Sequence, residues 1–282
     1  MASSFGAPSL RHELGMKIKS LSVVVLCLWP LPAAAQTADE IIKKYLDARG
    51  GIDKIKAVQS ERVTGHISFA PGVEGPFLLE FKRPLKLHME ATIEGRSLVR
   101  VYDGKSAGWV VNPFDEDKGA QPMSADDLNT ISDESDFDGP LVDYKAKGNQ
   151  VELTGKDEID GKPVYKIKLI RKNGDARTYY VDSSSFLVLQ WDGATRVEGK
   201  EIPIQNFLHD YREVDGLRFP FEVDTGFPEA PQQRKFVIEK VELNLLIDDS
   251  HFTKPVPPPA PADPPAKPSA PDNPPPFERH KF

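Results

Sequence analysis

The sequence predicts a mainly β fold, an antiparallel meander that forms one large sheet with an apolar concave side, and three observations predict it. From about residue 58 nearly to residue 245, apolar and polar residues alternate with period two. Turn signals break this alternation every eight to twelve residues or so, and Glu94-Gly95, Asp103-Gly104, Asp160-Gly161, Asn173-Gly174 and Asp215-Gly216 all supply residues that tolerate positive φ. Helical spacing is confined to a short opening segment and one acidic interruption.

The first 35 residues read as a secretory signal peptide. Lys17 and Lys19 precede an apolar run over 21–31, and Ala33-Ala34-Ala35 places small residues for a cut after Ala35. The run is about eleven residues, short of the roughly twenty a spanning helix needs. Because the basic patch follows Met16 directly, residues 1–15 are open to a second reading, as a stretch upstream of the true start. Cys27, the only cysteine, falls inside this segment behind Leu26, which is too bulky for a lipoprotein cleavage site. No disulfide is then expected in the exported protein. The net charge of −7 becomes more negative once residues 1–35 are lost, since they hold more basic than acidic groups. An acidic balance disfavours nucleic acid, whose phosphates call for a basic face.

The folded domain is expected over 36–256. Thr37 with Glu40 forms a capping box, after which Ile41, Ile42, Tyr45 and Leu46 recur at helical spacing until Gly50-Gly51. Ile52, Ile55 and Val58 suggest one further helical turn. Strands are expected near 58–69, 76–83, 85–93, 97–102, 107–112, 150–158, 163–171, 176–182, 186–196, 203–212, 217–224 and 233–245. Between residues 113 and 148 stand ten acidic residues against three lysines, with Ser124 capping a helix start at Ala125-Asp126-Asp127-Leu128. This interruption is too long for a hairpin, so it is either a helical lid over one sheet face or a surface excursion. Beyond it, residues 257–282 belong to a stretch that carries twelve of the 26 prolines between Pro255 and Pro276, a composition for polyproline II and not for a packed core.

Alternation puts Phe77, Leu79, Phe81 and Arg83 on one face, Leu85, Leu87, Met89, Ala91 and Ile93 beside them, and then Trp109 with Val111 and Tyr165 with Ile167 and Leu169. All are expected to face inward. The few short helices cover a sheet of this size poorly, so the remaining apolar surface is closed by curvature or filled by a ligand. The opposite face carries Glu80, Lys82, Lys86, His88, Glu90, Lys166 and Lys168, which argues against a lipid-facing barrel wall. Two readings of Arg83 stand side by side: a strand-end arginine curling into solvent, or a guanidinium in the concave mouth that donates to carbonyls at the end of a lid helix or to a ligand head group.

The common catalytic motifs are missing. There is no G-x-S-x-G, H-E-x-x-H or C-x-x-C pattern, and Gly104-Lys105-Ser106 fails as a P-loop because Val99 stands where its first glycine belongs. Glu134, Asp136, Asp138 and Gly139 imitate an EF-hand start, but Lys145 occupies the closing acidic position. His66, His88 and His209 lie in strands without ligand spacing. No metal, cofactor or catalytic residue is therefore assigned, although scattered residues can assemble a site.

Lys82-Arg83-Pro84 at a strand end, with Asp103-Gly104-Lys105 leading through Trp109 to Asn112-Pro113-Phe114, resembles the LolA-type periplasmic lipoprotein carrier superfamily, in particular its outer membrane lipoprotein-sorting proteins. The resemblance implies an incomplete antiparallel β-barrel of about 11 strands, with short helices as a lid over an apolar cavity. It implies a periplasmic carrier of lipoprotein acyl chains or related lipids, without cofactor or catalysis, whose partners are an inner-membrane release complex and an outer-membrane acceptor. The family's K-R-P arginine holds the lid closed, a role that carries over to Arg83. Envelope-stress sensors and regulatory modules use the same kind of half-barrel, and a cryptic lipid-ester hydrolase is a third class. The acidic insertion and the proline tail depart from the family pattern and leave cargo and docking partners open.

Overall fold

The computed structural model describes residues 36–256 apart from 71, 116–118, 198 and 229, and the side chains of 70, 197 and 230–233 are likewise not described. Residues 1–35 and 257–282, and with them the signal-peptide and tail expectations, lie outside the described residues. Two helices open the domain, α1 (Ala38–Ala48) and α2 (Ile52–Ala57). The predicted capping box is formed: Thr37 accepts from the Glu40 amide, and the Glu40 side chain accepts from the Thr37 amide.

Thirteen strands follow, with one helix among them: β1 (Ser60–Ala70), β2 (Val73–Lys82), β3 (Lys86–Ile93), β4 (Arg96–Tyr102), β5 (Gly108–Val111), β6 (Gln121–Pro122), α3 (Ala125–Glu134), β7 (Gln150–Ile159), β8 (Lys162–Ile170), β9 (Ala176–Asp182), β10 (Val188–Val197), β11 (Lys200–Val214), β12 (Leu217–Phe227) and β13 (Ala230–Leu243). They form one antiparallel sheet in the order β6-β5-β4-β3-β2-β1-β13-β12-β11-β10-β9-β8-β7. Every neighbour is a sequential hairpin except one. The β1–β13 pair joins two meanders, β1–β6 and β7–β13, and leaves β6 and β7 as open edges.

This topology decides what the acidic insertion does. The chain leaves the sheet at one edge, β6, and re-enters at the opposite edge, β7, so the intervening segment must cross between the two edges. It does so as α3 and the turns of 136–148, packed with α1 and α2 against the concave face. The lid reading holds. The strand count exceeds the expected eleven; the two-residue β6, paired with β5, carries no alternation of its own that sequence could show.

Registers align the apolar rows. Leu79 pairs with Val63 and Met89, Phe81 with Leu87, and Ile167 with Leu153 and Tyr179. A bulge between Thr64 and Gly65 lies where the two meanders join. Gly65 is required there, since a Cβ would stand 2.1 Å from the Val237 carbonyl oxygen and 3.0 Å from the Phe77 ring.

The convex face acquires a cover that the sequence did not reveal. After β13 the chain runs back over the sheet and ends in a short 3₁₀ turn, Asp249–Phe252, against β3 and β4. Asp249 binds Lys82 and Lys86 at 2.7 and 2.9 Å, His251 binds Glu80 at 2.7 Å, and Phe252 is fully buried. Glu80, only 1% exposed, also takes Arg62 at 2.6 Å. Those bonds hold its carboxyl below the usual carboxylate range although burial alone would raise it.

Candidate functional site

Arg83 follows the last residue of β2, and strand parity aims it into the concave mouth. Its Nε donates to the Val58 carbonyl at 2.6 Å and Nη2 to the Ile55 carbonyl at 3.2 Å. These oxygens lie at the C-terminal end of α2, where the last carbonyls lack i+4 donors and that of Ile55 also accepts from the Val58 amide. Asp138, from the crossover segment, receives Nη2 at 2.7 Å on one carboxylate oxygen and Nη1 at 2.8 Å on the other. The bidentate fork fits guanidinium geometry, and the Phe137 ring lies 4.9 Å from the guanidinium carbon. Arg49, the C-cap of α1, adds a bond from Nη1 to the Asp138 carbonyl at 3.0 Å. One arginine at a strand end thus ties α2 and the crossover to the sheet, and Asp138 links both to α1.

Glu61 sits on the same face, opposite Phe81 on one side and Leu243 on the other. Burial pushes its carboxyl up to about 7, and neighbouring Asp138 adds to the rise while Arg49 opposes it.

Further anchors fix the rest of the lid. Asp39 of α1 accepts from Tyr144 and pairs with Lys145 at 2.9 Å, Lys56 of α2 meets Asp143 at 2.5 Å, and Asp136 is held by Lys147 at 2.6 Å. Asp136 and Asp138, which imitate calcium ligands in the sequence, are therefore each bound to a cation of the chain. Helix α3 carries consecutive acids to opposite walls: Glu134 pairs with Arg100 of β4 at 2.9 Å, and Asp133 pairs with Arg171 beyond β8.

Most of the sequence-predicted residues converge on the concave face. Phe77, Leu79 and Met89 pack beneath α2 and the crossover, Phe81, Leu85 and Leu87 beneath α3, and Tyr165, Ile167 and Leu169 beneath α1. Trp109 and Val111 do not. They pair with Val101 and Val99, which stand on the face opposite Leu87 and Tyr102, so the inward expectation for both is corrected. The reason is the β4–β5 loop: Asp103 accepts from the amides of Lys105, Ser106 and Ala107 and fixes the Tyr102–Gly108 pairing, which turns Gly108 and Val110 inward. Gly108 seats α3, for a Cβ there would meet Met123 and Leu128 at 2.7 and 2.9 Å. Sequence reading also missed Asp138, Arg49, Glu61 and Arg171 as partners; only the EF-hand imitation had drawn notice to Asp138.

The centre of the concavity is filled by the lid's own side chains, with Ile41, Ile42, Ile55, Ile131, Leu141 and Val142 all buried against sheet residues. Two clefts lie nearby, the second of them beneath the segment that covers the convex face. One of about 610 Å³ follows the seam of α1 with the crossover, lined by Ile42, Leu46, Ile52, Leu141 and Tyr144. The other, of about 710 Å³, lies beside α2, where Ala57, Gln59 and Lys82 face Leu245, Leu246 and Ile247. No described helix is long and apolar enough to cross a membrane.

No family model matches the sequence, and no curated protein matches it. Solved structures do match. A LolA superfamily protein from Nitrosomonas europaea superposes with a TM-score of 0.50 at 15% identity, covering 78% of this chain and 99% of its own. The fold is LolA-like. A DUF1329 family protein from Desulfovibrio piger gives a TM-score of 0.51 at 13% identity, covering 75% of this chain and 97% of its own. At such identities the likeness speaks for the LolA-like fold alone: an open antiparallel sheet around a helical lid.

Proposed function

We propose that this protein is an exported, periplasmic carrier that receives acyl chains of lipoproteins or related lipids on the concave face of its sheet and passes them towards the outer membrane. One observation carries the reading: apolar rows from both halves of the sheet, gathered in three clusters, are covered by helices and a crossover pinned at Arg83. The lid residues against that surface are as apolar as an acyl chain, so exchanging one for the other costs little hydrophobic free energy. Each methylene buried contributes about 0.8 kcal/mol. The polar anchors, with Arg83 foremost, set the cost of opening. Residues 1–35 as a signal peptide cut after Ala35, the domain over 36–256 and the proline-rich segment 257–282 belong to the same reading, as do an inner-membrane release complex and an outer-membrane acceptor as partners. Phe77, Leu79, Phe81, Leu85, Leu87, Met89, Tyr165, Ile167 and Leu169 are the proposed lipid contacts.

A regulatory module binding protein through its acidic segment is less well supported, since Asp133, Asp136 and Asp138 are spent on contacts within the domain. Native mass spectrometry of freshly purified protein tests the carrier: co-purified lipid or lipopeptide is expected, and a fluorescent acyl probe should bind and be displaced by fatty acid. Absence of lipid together with failure of the probe would overturn the proposal. Turnover of a chromogenic ester, abolished by one point mutation, would replace it with the hydrolase.

A further inference from the structure

The far wall of the concavity, under the C-terminal end of α3, concentrates positive charge that the lid does not fully use. Arg171 follows β8 and is only 8% exposed, yet its Nε has no hydrogen-bond partner. Arg177 stands on the concave face of β9, opposite Leu169 and two residues from Tyr179, with its guanidinium 4.4 Å from the Trp191 ring. Gly193 makes room for this stack, because a Cβ there would lie 3.2 Å from the Arg177 side chain and 3.3 Å from the Trp191 ring. Among the described residues no carboxylate forms an ion pair with Arg177. The other acids nearby are committed, Asp136 to Lys147 and Asp175 to Arg196. Arg177 also hydrogen-bonds Tyr179, Asp136 faces Arg171 while held by Lys147, and Asp133 faces both guanidiniums.

That pairing engages Arg171 Nη1 and leaves its Nε without an acceptor. Burial, with Arg177 adding to it, lowers the Arg171 pKa, and burial raises that of Asp133, so each shifts towards its neutral form. A buried guanidinium nitrogen without an acceptor retains its full desolvation cost, which a better-placed anion would relieve.

We propose that Arg171 and Arg177 form an anion site for the acidic head group, phosphate or carboxylate, of the lipid that the concavity carries, and that Asp133 occupies it until the head group displaces it. The proposal rests on the carrier reading. It places the acyl chain along Leu169, Ile167 and Tyr165, which continue from Arg171 on the concave face of β8, and leaves the head group at the rim. Loss of the Asp133 contact frees the end of α3, so arrival of an anionic cargo opens the lid on the wall opposite Arg83.

Dodecyl phosphate, dodecanol and inorganic phosphate separate the possibilities in competition with a fluorescent acyl probe. Wild type should bind dodecyl phosphate about tenfold or more tightly than dodecanol, the range expected for charge-assisted hydrogen bonds. Arg171→Gln and Arg177→Gln, checked by circular dichroism for an intact fold, should lose that preference and keep dodecanol affinity, whereas Asp133→Asn should strengthen dodecyl phosphate binding. Arg177 is partly exposed, so its variant retains the test should Arg171→Gln fail to fold. Equal affinity for the two amphiphiles, or a preference that survives Arg177→Gln, overturns the head-group site while leaving the carrier intact. Arginine-dependent binding of inorganic phosphate without preference for dodecyl phosphate also overturns it, as a site for free anion. Failure of all amphiphiles to bind overturns both readings.

Discussion

Arg83 and Arg171 each tie the same crossover segment to the sheet, one on the β2 wall and the other on the β8 wall, and their surroundings differ in kind. Arg83 makes four hydrogen bonds, two to an Asp138 carboxylate and two to carbonyls at the end of α2, and it rests against a ring. Arg171 has one carboxylate partner, a second guanidinium nearby and a nitrogen without an acceptor. Buried charge is tolerated when geometry satisfies it and becomes costly when satisfaction is partial. The comparison teaches that of the two anchors one is satisfied within the domain and the other is only partly so.

The largest effect is expected at the anchor that is satisfied. Arg83→Leu strands a nearly buried Asp138 and should cost the closed lid about 3–5 kcal/mol. Hydrogen exchange would report it as lost protection over 52–58 and 136–148, with the sheet strands still protected and acyl-probe release faster. Arg83→Leu combined with Asp138→Leu should recover much of that loss, because neither charge is then left alone. Exchange and release rates matching wild type in the single variant would remove the latch.

The same end of the lid carries a pH dependence. Glu61 ordinarily titrates near 4.5 and is pushed up to about 7 in the folded protein, so the folded state holds the proton more strongly than the unfolded chain. Its favourable contribution is complete below pH 4.5 and is lost as pH rises through 7, where a buried carboxylate must form. The loss amounts to about 3 kcal/mol at most. Denaturant unfolding at pH 5 and pH 8 should show it in wild type, whereas Glu61→Gln should flatten the profile. An equal slope in both proteins would place the pH dependence elsewhere.

Smaller changes are expected on the opposite wall. Replacing Asp133 and Arg171 together by leucine should alter the unfolding free energy by about 1 kcal/mol or less, and a gain would agree with an ion pair that burial disfavours. A loss as large as that of Arg83→Leu would erase the contrast between the two anchors. Glu134→Gln should have the least effect, below about 1 kcal/mol, since Glu134 is largely accessible and water replaces Arg100 readily. Thermal melts of both variants test the ranking.

Local chemistry made part of this arrangement legible. The Thr37 capping box, the Ser124 cap, the turn pairs and the alternation that aims Arg83 and the Phe77 row inward all depend on neighbours in the chain, and all are found in place. Alternation reads faces within a strand but not between strands, which is why Trp109 and Val111 were expected inward and stand outward. Their face was set by a five-residue loop closed on Asp103.

By itself the sequence determined a mainly β meander, its opening helices and an arginine in the apolar row at a strand end, because period, capping and turn preference act over a few residues. Only the tertiary structure decided that β1 meets β13, that the acidic segment must cross between two open edges, that Asp138 receives Arg83 and that Asp249–Phe252 covers the convex face. Each of these joins groups from distant parts of the chain. Their pairing depends on strand order and register, and neither is written in any local window of residues.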